Sequence, residues 1–426
     1  MAVKTLSNGI VLRTVHTDRF KTDYLTLTWV RPMTDRENTK NALLPYVLKA
    51  GCAPYGSLKQ LNIALKENYG ASLGCVLRKR GNYQCFGYAM SFLKDKYAFE
   101  GDCISDKCLE VLSNVVLSPI QKNGAFDAEI LRVEKNNLKE KIESRSNDKI
   151  VYGIDRCSAL MCKGSPFALS ELGEVEGLTE SVNTPDIMFQ HYRKVMESSH
   201  VEAFYVGSMD IDQVAQKLED KLGELKSVDM ALTAGAVDVS GGEKGTITET
   251  LPVNQCKLTM GFTTGVTLDD EQYPAMVMAN MLFGGGPTSK LFMNVREKLS
   301  LCYYAAARYN KLNGQVLVYS GVQAENVQKA EDEIKNQLSQ LQQGNVTDEE
   351  FEAARKSAVN ALRASQDSPS SLEDFGLSEQ FGKQPRTVEQ FIDQLLQVTK
   401  EQAVRASGNM QLHTIHVLKG EGGQDE

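Results

Sequence analysis

The chain has 426 residues, 42% of them hydrophobic and 24% charged, enough to bury a large core in about two to four compact units. Its formal charge of −8 argues against a nucleic-acid partner, because phosphate binding needs a basic face that displaces counterions. There is no run of about 18 apolar residues, and the first residues carry no basic stretch followed by an apolar one, so a cytoplasmic location without membrane attachment is the expectation.

Residues 10–16 and 25–30 alternate apolar and polar side chains, which predicts two strands joined as an opening hairpin. Apolar residues then recur at helical spacing over 41–50 and 57–69, with Ser57 placed as an N-cap. Strands are expected at 72–77 and 83–90. Leu77-Arg78-Lys79-Arg80, the nearest thing to a basic patch, reads as a solvated hairpin end. The stretch 127–146 mixes Glu and Lys as a solvated helix does. A helix near 185–196 and a buried strand at 201–207 close the first half.

After a helix ending near 225, residues 231–242 are small, polar and without periodicity, as in a linker. The order then repeats: a strand at 256–262, a helix at 273–282, and a second helix after a glycine-rich turn. Strands at 303–307 and 315–322 follow, then long helices and a last strand at 412–418. Thr347 with Glu350, Thr387 with Gln390 and Thr399 with Gln402 have capping-box spacing. The stretches 57–73 and 289–303 both run from a serine through an amphipathic helix into a strand. The expected fold class is α+β: two homologous halves, each an antiparallel-rich sheet with long helices, spanning 1–228 and 246–426 with a linker at 229–245.

Nine cysteines, with no C-x-x-C pair, point to a reducing compartment and away from a disulfide framework or a thiolate zinc site. Cys103 with Cys108, and Cys157 with Cys162, read as core packing. Of the five histidines, His16, His191 and His200 stand alone. His413 and His416 are three apart in a strand and point to opposite faces. Surface or satisfied core positions suit all five. No nucleophile-elbow motif occurs.

The most specific motif lies in the second half, Leu282-Phe283-Gly284-Gly285-Gly286-Pro287-Thr288-Ser289-Lys290-Leu291-Phe292, followed by Val295-Arg296-Glu297-Lys298-Leu299-Ser300-Leu301-Cys302-Tyr303. The glycine run lacks the G-K-[ST] ending of a phosphate loop; Thr288 or Ser289 caps the helix after a flexible turn. With this motif the whole chain resembles the insulinase/pitrilysin peptidase family, in its short bacterial form related to the mitochondrial processing peptidase. The resemblance implies two halves closing like a clamshell around a peptide. It also implies that Arg296 and Tyr303, seven positions apart, reach toward substrate from the second half. A phenolic O–H suits a developing oxyanion, and a guanidinium holds a carbonyl with forked donors. For Gly284, Gly285 and Gly286 it suggests a role in peptide entry.

Catalytic members of that family carry H-x-x-E-H on the first long helix and a third glutamate ligand on the later charged helix. The matching first segment here is Asn41-Ala42-Leu43-Leu44-Pro45-Tyr46-Val47-Leu48-Lys49-Ala50-Gly51, which aligns in either of two registers one residue apart, near Leu43, Tyr46 and Val47, and gives no histidine or glutamate in either. Glu134-Lys135-Asn136-Asn137-Leu138-Lys139-Glu140-Lys141 places Lys141 where the third ligand belongs. The resemblance therefore implies a subunit that binds no zinc and cuts nothing alone. Its partner would be an H-x-x-E-H paralogue holding the zinc, with Arg296 and Tyr303 offered in trans to a peptide substrate. The alternative is a peptide-binding or scaffold protein with no part in cleavage.

Overall fold

The computed structural model describes residues 1–420, which form two compact units. Unit 1 comprises Met1–Glu143, Leu169–Ala231 and Ser368–Leu377; unit 2 comprises Ser144–Ala168, Leu232–Asp367 and the chain from Ser378 onward. The units are thus not two uninterrupted stretches of sequence.

Unit 1 contains β1 (Ala2–Thr5), β2 (Val11–His16), β3 (Thr22–Pro32), β4 (Ser72–Arg80), β5 (Tyr83–Leu93), the two-residue strands β6 (Gln121–Lys122) and β7 (Ala125–Phe126), and β8 (His200–Gly207). Six of them make a sheet in the order β1-β2-β8-β3-β5-β4. Only β2 and β8 pair in parallel. The expected opening hairpin between 10–16 and 25–30 does not form: β2 pairs with β1 and β8, and β8 lies between it and β3. The reason is burial, since β8 is buried at every position and a strand buried on both faces belongs at a sheet's centre.

Unit 2 contains β9 (Gly245–Thr250), β10 (Cys256–Thr263), β11 (Cys302–Asn310), β12 (Gln315–Val322) and β13 (Gln411–Lys419), in the order β11-β12-β10-β13-β9. Again one pair is parallel, β13 with β9, and the rest are antiparallel. Read from the edge, β4-β5-β3-β8-β2 and β11-β12-β10-β13-β9 are one topology used twice. The architecture is α+β, with the internal repeat visible strand by strand.

The helices repeat as well: α1 (Asn38–Ala50), α2 (Leu58–Glu67), α3 (Ile104–Leu117), α4 (Ala128–Asn147), α5 (Lys149–Met161), α6 (Pro185–Ser198) and α7 (Ile211–Leu222) come from the first half. The second half supplies α8 (Tyr273–Phe283), a π-helix (Leu291–Lys298), α9 (Val327–Gln342), α10 (Asp348–Ser365), α11 (Pro369–Glu379), α12 (Val388–Gln397) and α13 (Lys400–Ser407). Ser57 caps α2 by accepting from Gln60 N. All three expected capping boxes form with both hydrogen bonds.

Each unit takes one helix from the other half of the sequence, because central strands buried on both faces need cover on both. In unit 2 that helix is α5, whose buried residues include the small Gly153, Cys157 and Ser158. A Cβ on Gly153 would lie 3.2 Å from Thr259 Oγ1, and one on Gly261 would meet Met161 Sδ at 2.7 Å, so helix and sheet are in close contact. In unit 1 it is the part of α11 up to Leu377. Arg78 donates to the fully buried Glu373 at 2.7 Å, Arg80 pairs with Asp374 at 2.5 Å, and Lys79 donates to Leu169 O at 3.0 Å. The basic run is therefore not a solvated hairpin end. It holds a helix against the edge of the sheet.

Residues 229–242 have neither helix nor strand, yet they are tied down by backbone bonds from Ala234 to Phe381 O, Gly235 to Leu312 O and Val237 to Asn313 O. Among the described residues no helix is long and apolar enough to cross a membrane.

Candidate functional site

Unit 2 departs from regular geometry in the stretch that follows α8. After α8, Gly284 is buried and its carbonyl accepts from Ala307 N at 2.8 Å. A Cβ there would lie 2.7 Å from that same nitrogen and 2.8 Å from Leu291 Cδ1. The glycine run is thus not a flexible turn needing unusual dihedrals, since none of its three glycines has positive φ. Gly284 is required for close packing, Gly285 crowds Met281 Cα at 2.8 Å, and Gly286 has room for a methyl group. Ser289, not Thr288, supplies the cap, accepting weakly from Phe292 N at 3.4 Å.

The segment that follows is a π-helix rather than the α-helix its periodicity suggested. Leu299 N donates five residues back to Asn294 O. Leu291 and Val295 are buried under it, while Asn294 anchors its flank by donating to Gln337 Oε1 at 2.8 Å. Such wide turns are rare and are found disproportionately at functional sites. Arg296 lies on the outer side, its side chain 40% exposed and 3.6 Å from Glu297. The guanidinium stacks on the Phe292 ring at 4.6 Å, which fixes its plane while leaving donors free.

The chain then turns through Ser300 at φ 49° into β11. Cys302 pairs with Val322 and Tyr304 with Gly321, so Tyr303 is an extra residue in a β-bulge. Bulges re-aim side chains, and Tyr303 is 61% exposed. Its Oη accepts from Gln323 Nε2 at 2.8 Å, leaving the phenolic proton free to donate. Gln323 was not singled out by sequence; its only signal is its place one residue after β12, across from the bulge. Met293 and Leu299 of the same stretch are also exposed.

Unit 1 holds Leu43, Tyr46, Val47 and Lys141, the positions that the family resemblance assigns to a metal. Leu43 and Val47 on α1 are buried in the core. Tyr46, half-buried on α1, accepts a hydrogen bond from Lys141 of α4 at 2.6 Å, and the Lys141 ammonium also lies 5.2 Å from the Tyr46 ring centre. The structure thus brings Tyr46 and Lys141 together while turning Leu43 and Val47 into core. These side chains do not fit zinc: two offer no donor atom and a third is a cation. Among the described residues no three His, Cys, Asp or Glu side chains are grouped to hold a metal.

Two buried histidines of unit 1 are held by neighbouring side chains. His191 Nε2 lies 2.7 Å from Asn41 Oδ1 and Asn41 donates to Gln84 Oε1 at 2.9 Å; burial pushes the imidazole down to about 3. His200 bonds Glu202 at 2.9 Å, and Glu202 pairs with Arg13 at 2.9 Å. In unit 2 His416 lies 3.1 Å from Glu249, and His413 lies 2.8 Å from Thr414 Oγ1. Burial raises the thiols of Cys108 and Cys157 to about 12, as suits inert core cysteines.

Known proteins resemble this chain over its length. The family described as peptidase M16 inactive domain matches residues 184–358. A Bacillus subtilis protein named probable inactive metalloprotease YmfF is 30% identical over 418 residues, covering 98% of this chain and 97% of its own. Among solved structures, a conserved protein from Enterococcus faecalis superposes with a TM-score of 0.89 at 25% identity over 100% of this chain and 99% of its own. A peptidase M16 inactive domain from Pseudomonas fluorescens superposes at 0.79 and 16% identity, covering 100% and 99%, a likeness of fold.

Proposed function

The chain belongs to the M16 metallopeptidase family, as a homologue of its inactive members, and from that premise we propose that it is the non-catalytic, substrate-positioning subunit of a two-chain peptidase. The partner in this reading is an H-x-x-E-H paralogue, and the substrate is a peptide. This chain contributes Arg296 and Tyr303 in trans.

The observation that carries the reading is the coincidence of a π-helix and a β-bulge on the two residues whose types suit peptide-bond chemistry. Irregular backbone is costly and persists where the surroundings enforce it. Here it presents an exposed phenol and a stacked guanidinium that the fold does not otherwise use. The division of labour follows from the side chains. Arg296, its plane set by Phe292, holds a substrate carbonyl through paired N–H donors. Tyr303, oriented by Gln323, donates its O–H to the oxygen that gains charge as the peptide carbonyl is attacked.

Turnover by the reconstituted complex tests these roles. Tyr303→Phe is expected to lower kcat by roughly 100-fold to 1000-fold, the usual cost of one oxyanion donor, with association unchanged. Arg296→Ala is expected to act chiefly on KM, because a guanidinium on a substrate carbonyl binds ground and transition states alike. Full turnover by a complex carrying both changes sinks the proposal.

A further inference from the structure

We propose that the former ligand positions of unit 1 form a carboxylate-binding site, built on Lys141, Tyr46 and Lys49, that engages an acidic group of a bound peptide. The inference rests on the peptide-handling reading above and adds a ligand group that this reading does not supply.

Two helices meet there: α4 brings Lys141 to Tyr46 of α1 at 2.6 Å, and Lys49, three positions after Tyr46 on α1, shares that helix face. Among the described residues no carboxylate lies within ion-pair distance of Lys141 or Lys49. Glu134, the nearby acid, is buried and accepts from Asn137 at 3.1 Å. Burial raises its carboxyl above the usual range.

The hydrogen-bond inventory gives the chemistry. Lys141 spends one N–H on Tyr46 Oη and keeps two, while Tyr46, having accepted, keeps its own O–H as a donor. Two or three donors beside a second ammonium match the two oxygens of a carboxylate. The place where a divalent cation would sit in a catalytic relative has thus reversed its sign, and the ligand it suits is an anion. The carboxylate has two possible sources on a peptide, the C-terminus or an Asp or Glu side chain.

The test is fluorescence anisotropy of the full chain with three labelled peptides of one apolar sequence: a neutral C-terminal amide, the same peptide with a free C-terminal carboxylate, and the amide with one internal Glu. At least one carboxylate peptide is expected to bind about tenfold tighter than the neutral amide, as one charge-assisted bond gives. Which one it is identifies the source. Lys141→Gln removes the advantage, Lys141→Arg retains it, and Lys139→Gln on the same helix leaves it intact. Equal affinity for all three peptides, or an advantage that survives Lys141→Gln, overturns the carboxylate site and leaves the roles of Arg296 and Tyr303 standing. Failure of every peptide to bind overturns both.

Discussion

The two units repeat one sheet and part company at the short helix that leads into its edge strand. In unit 1 that helix is α2, an ordinary capped α-helix, and β4 follows in unbroken register with β5. In unit 2 the same position holds the π-helix, and β11 begins with a bulge. A left-handed residue precedes the edge strand in both, Tyr69 at φ 55° and Ser300 at φ 49°, so it belongs to the shared turn. The π-helix and the bulge are unit 2's alone at this position. A duplicated frame thus provides its own control: what both copies share is topology, and what one keeps at a cost of about 1–3 kcal/mol per strained feature points to use.

The units also differ in how they hold the helix each takes from the other half. Unit 1 uses charge at Glu373 and Asp374, and unit 2 uses small residues along α5. Glu373→Ala should show the largest effect, about 3 kcal/mol, because it takes from the largely buried Arg78 its fully buried partner and leaves only Asp374 at 3.6 Å. Denaturant unfolding measures it, and a loss under about 1 kcal/mol would mean that packing, not charge, holds α11 as it holds α5. Next comes Gly284→Ala, expected to cost about 1–3 kcal/mol by driving a methyl into Ala307 N. Gly286→Ala, with room to spare, should stay within about 0.5 kcal/mol. Equal losses at the two glycines would contradict the packing explanation of the run.

Acid should weaken unit 1 through His191. Its folded imidazole titrates at about 3 against the usual 6.5, so between those values the unfolded chain takes up a proton that the folded chain refuses. Stability is full above the unfolded value and falls as pH drops, by about 2 kcal/mol at pH 5. Glu37 acts in the same direction at lower pH. Burial opposes its ionisation, but Lys194 and Arg31 bring its carboxyl down to about 2, so its contribution fades below the ordinary carboxylate value. Urea unfolding at several pH values checks this, and His191→Gln should flatten the slope between pH 6 and 4. The smallest change is in unit 2: Gln323→Ala should leave stability within about 0.5 kcal/mol and lower turnover of the complex about tenfold, the effect of one lost hydrogen bond to Tyr303. Unaltered turnover would separate Gln323 from the site.

Local signals were legible in the sequence and distant partners were not. Thr347, Thr387 and Thr399 announced their helices because a capping box is complete within four residues. Arg78 and Arg80 were misread because their partners lie 295 and 294 positions away. Strand β2 was recognisable by alternation, but its neighbour β8 arrives 189 residues later, with Glu202 beside Arg13. At the site, residue types and spacing identified Arg296 and Tyr303. The π-helix was hidden because eight residues scarcely distinguish a wide turn from a period of about 3.6. The bulge was hidden because it exists only relative to the register of β12.

The central claim is that this chain has lost cleavage in unit 1 and kept a working surface in unit 2. The direct test is peptide turnover by the purified chain, by an H-x-x-E-H paralogue from the same source, and by their equimolar mixture. The account predicts turnover from the mixture alone, abolished by chelation. Chelator-sensitive cleavage by this chain alone, or equal turnover by the paralogue without it, would contradict the account.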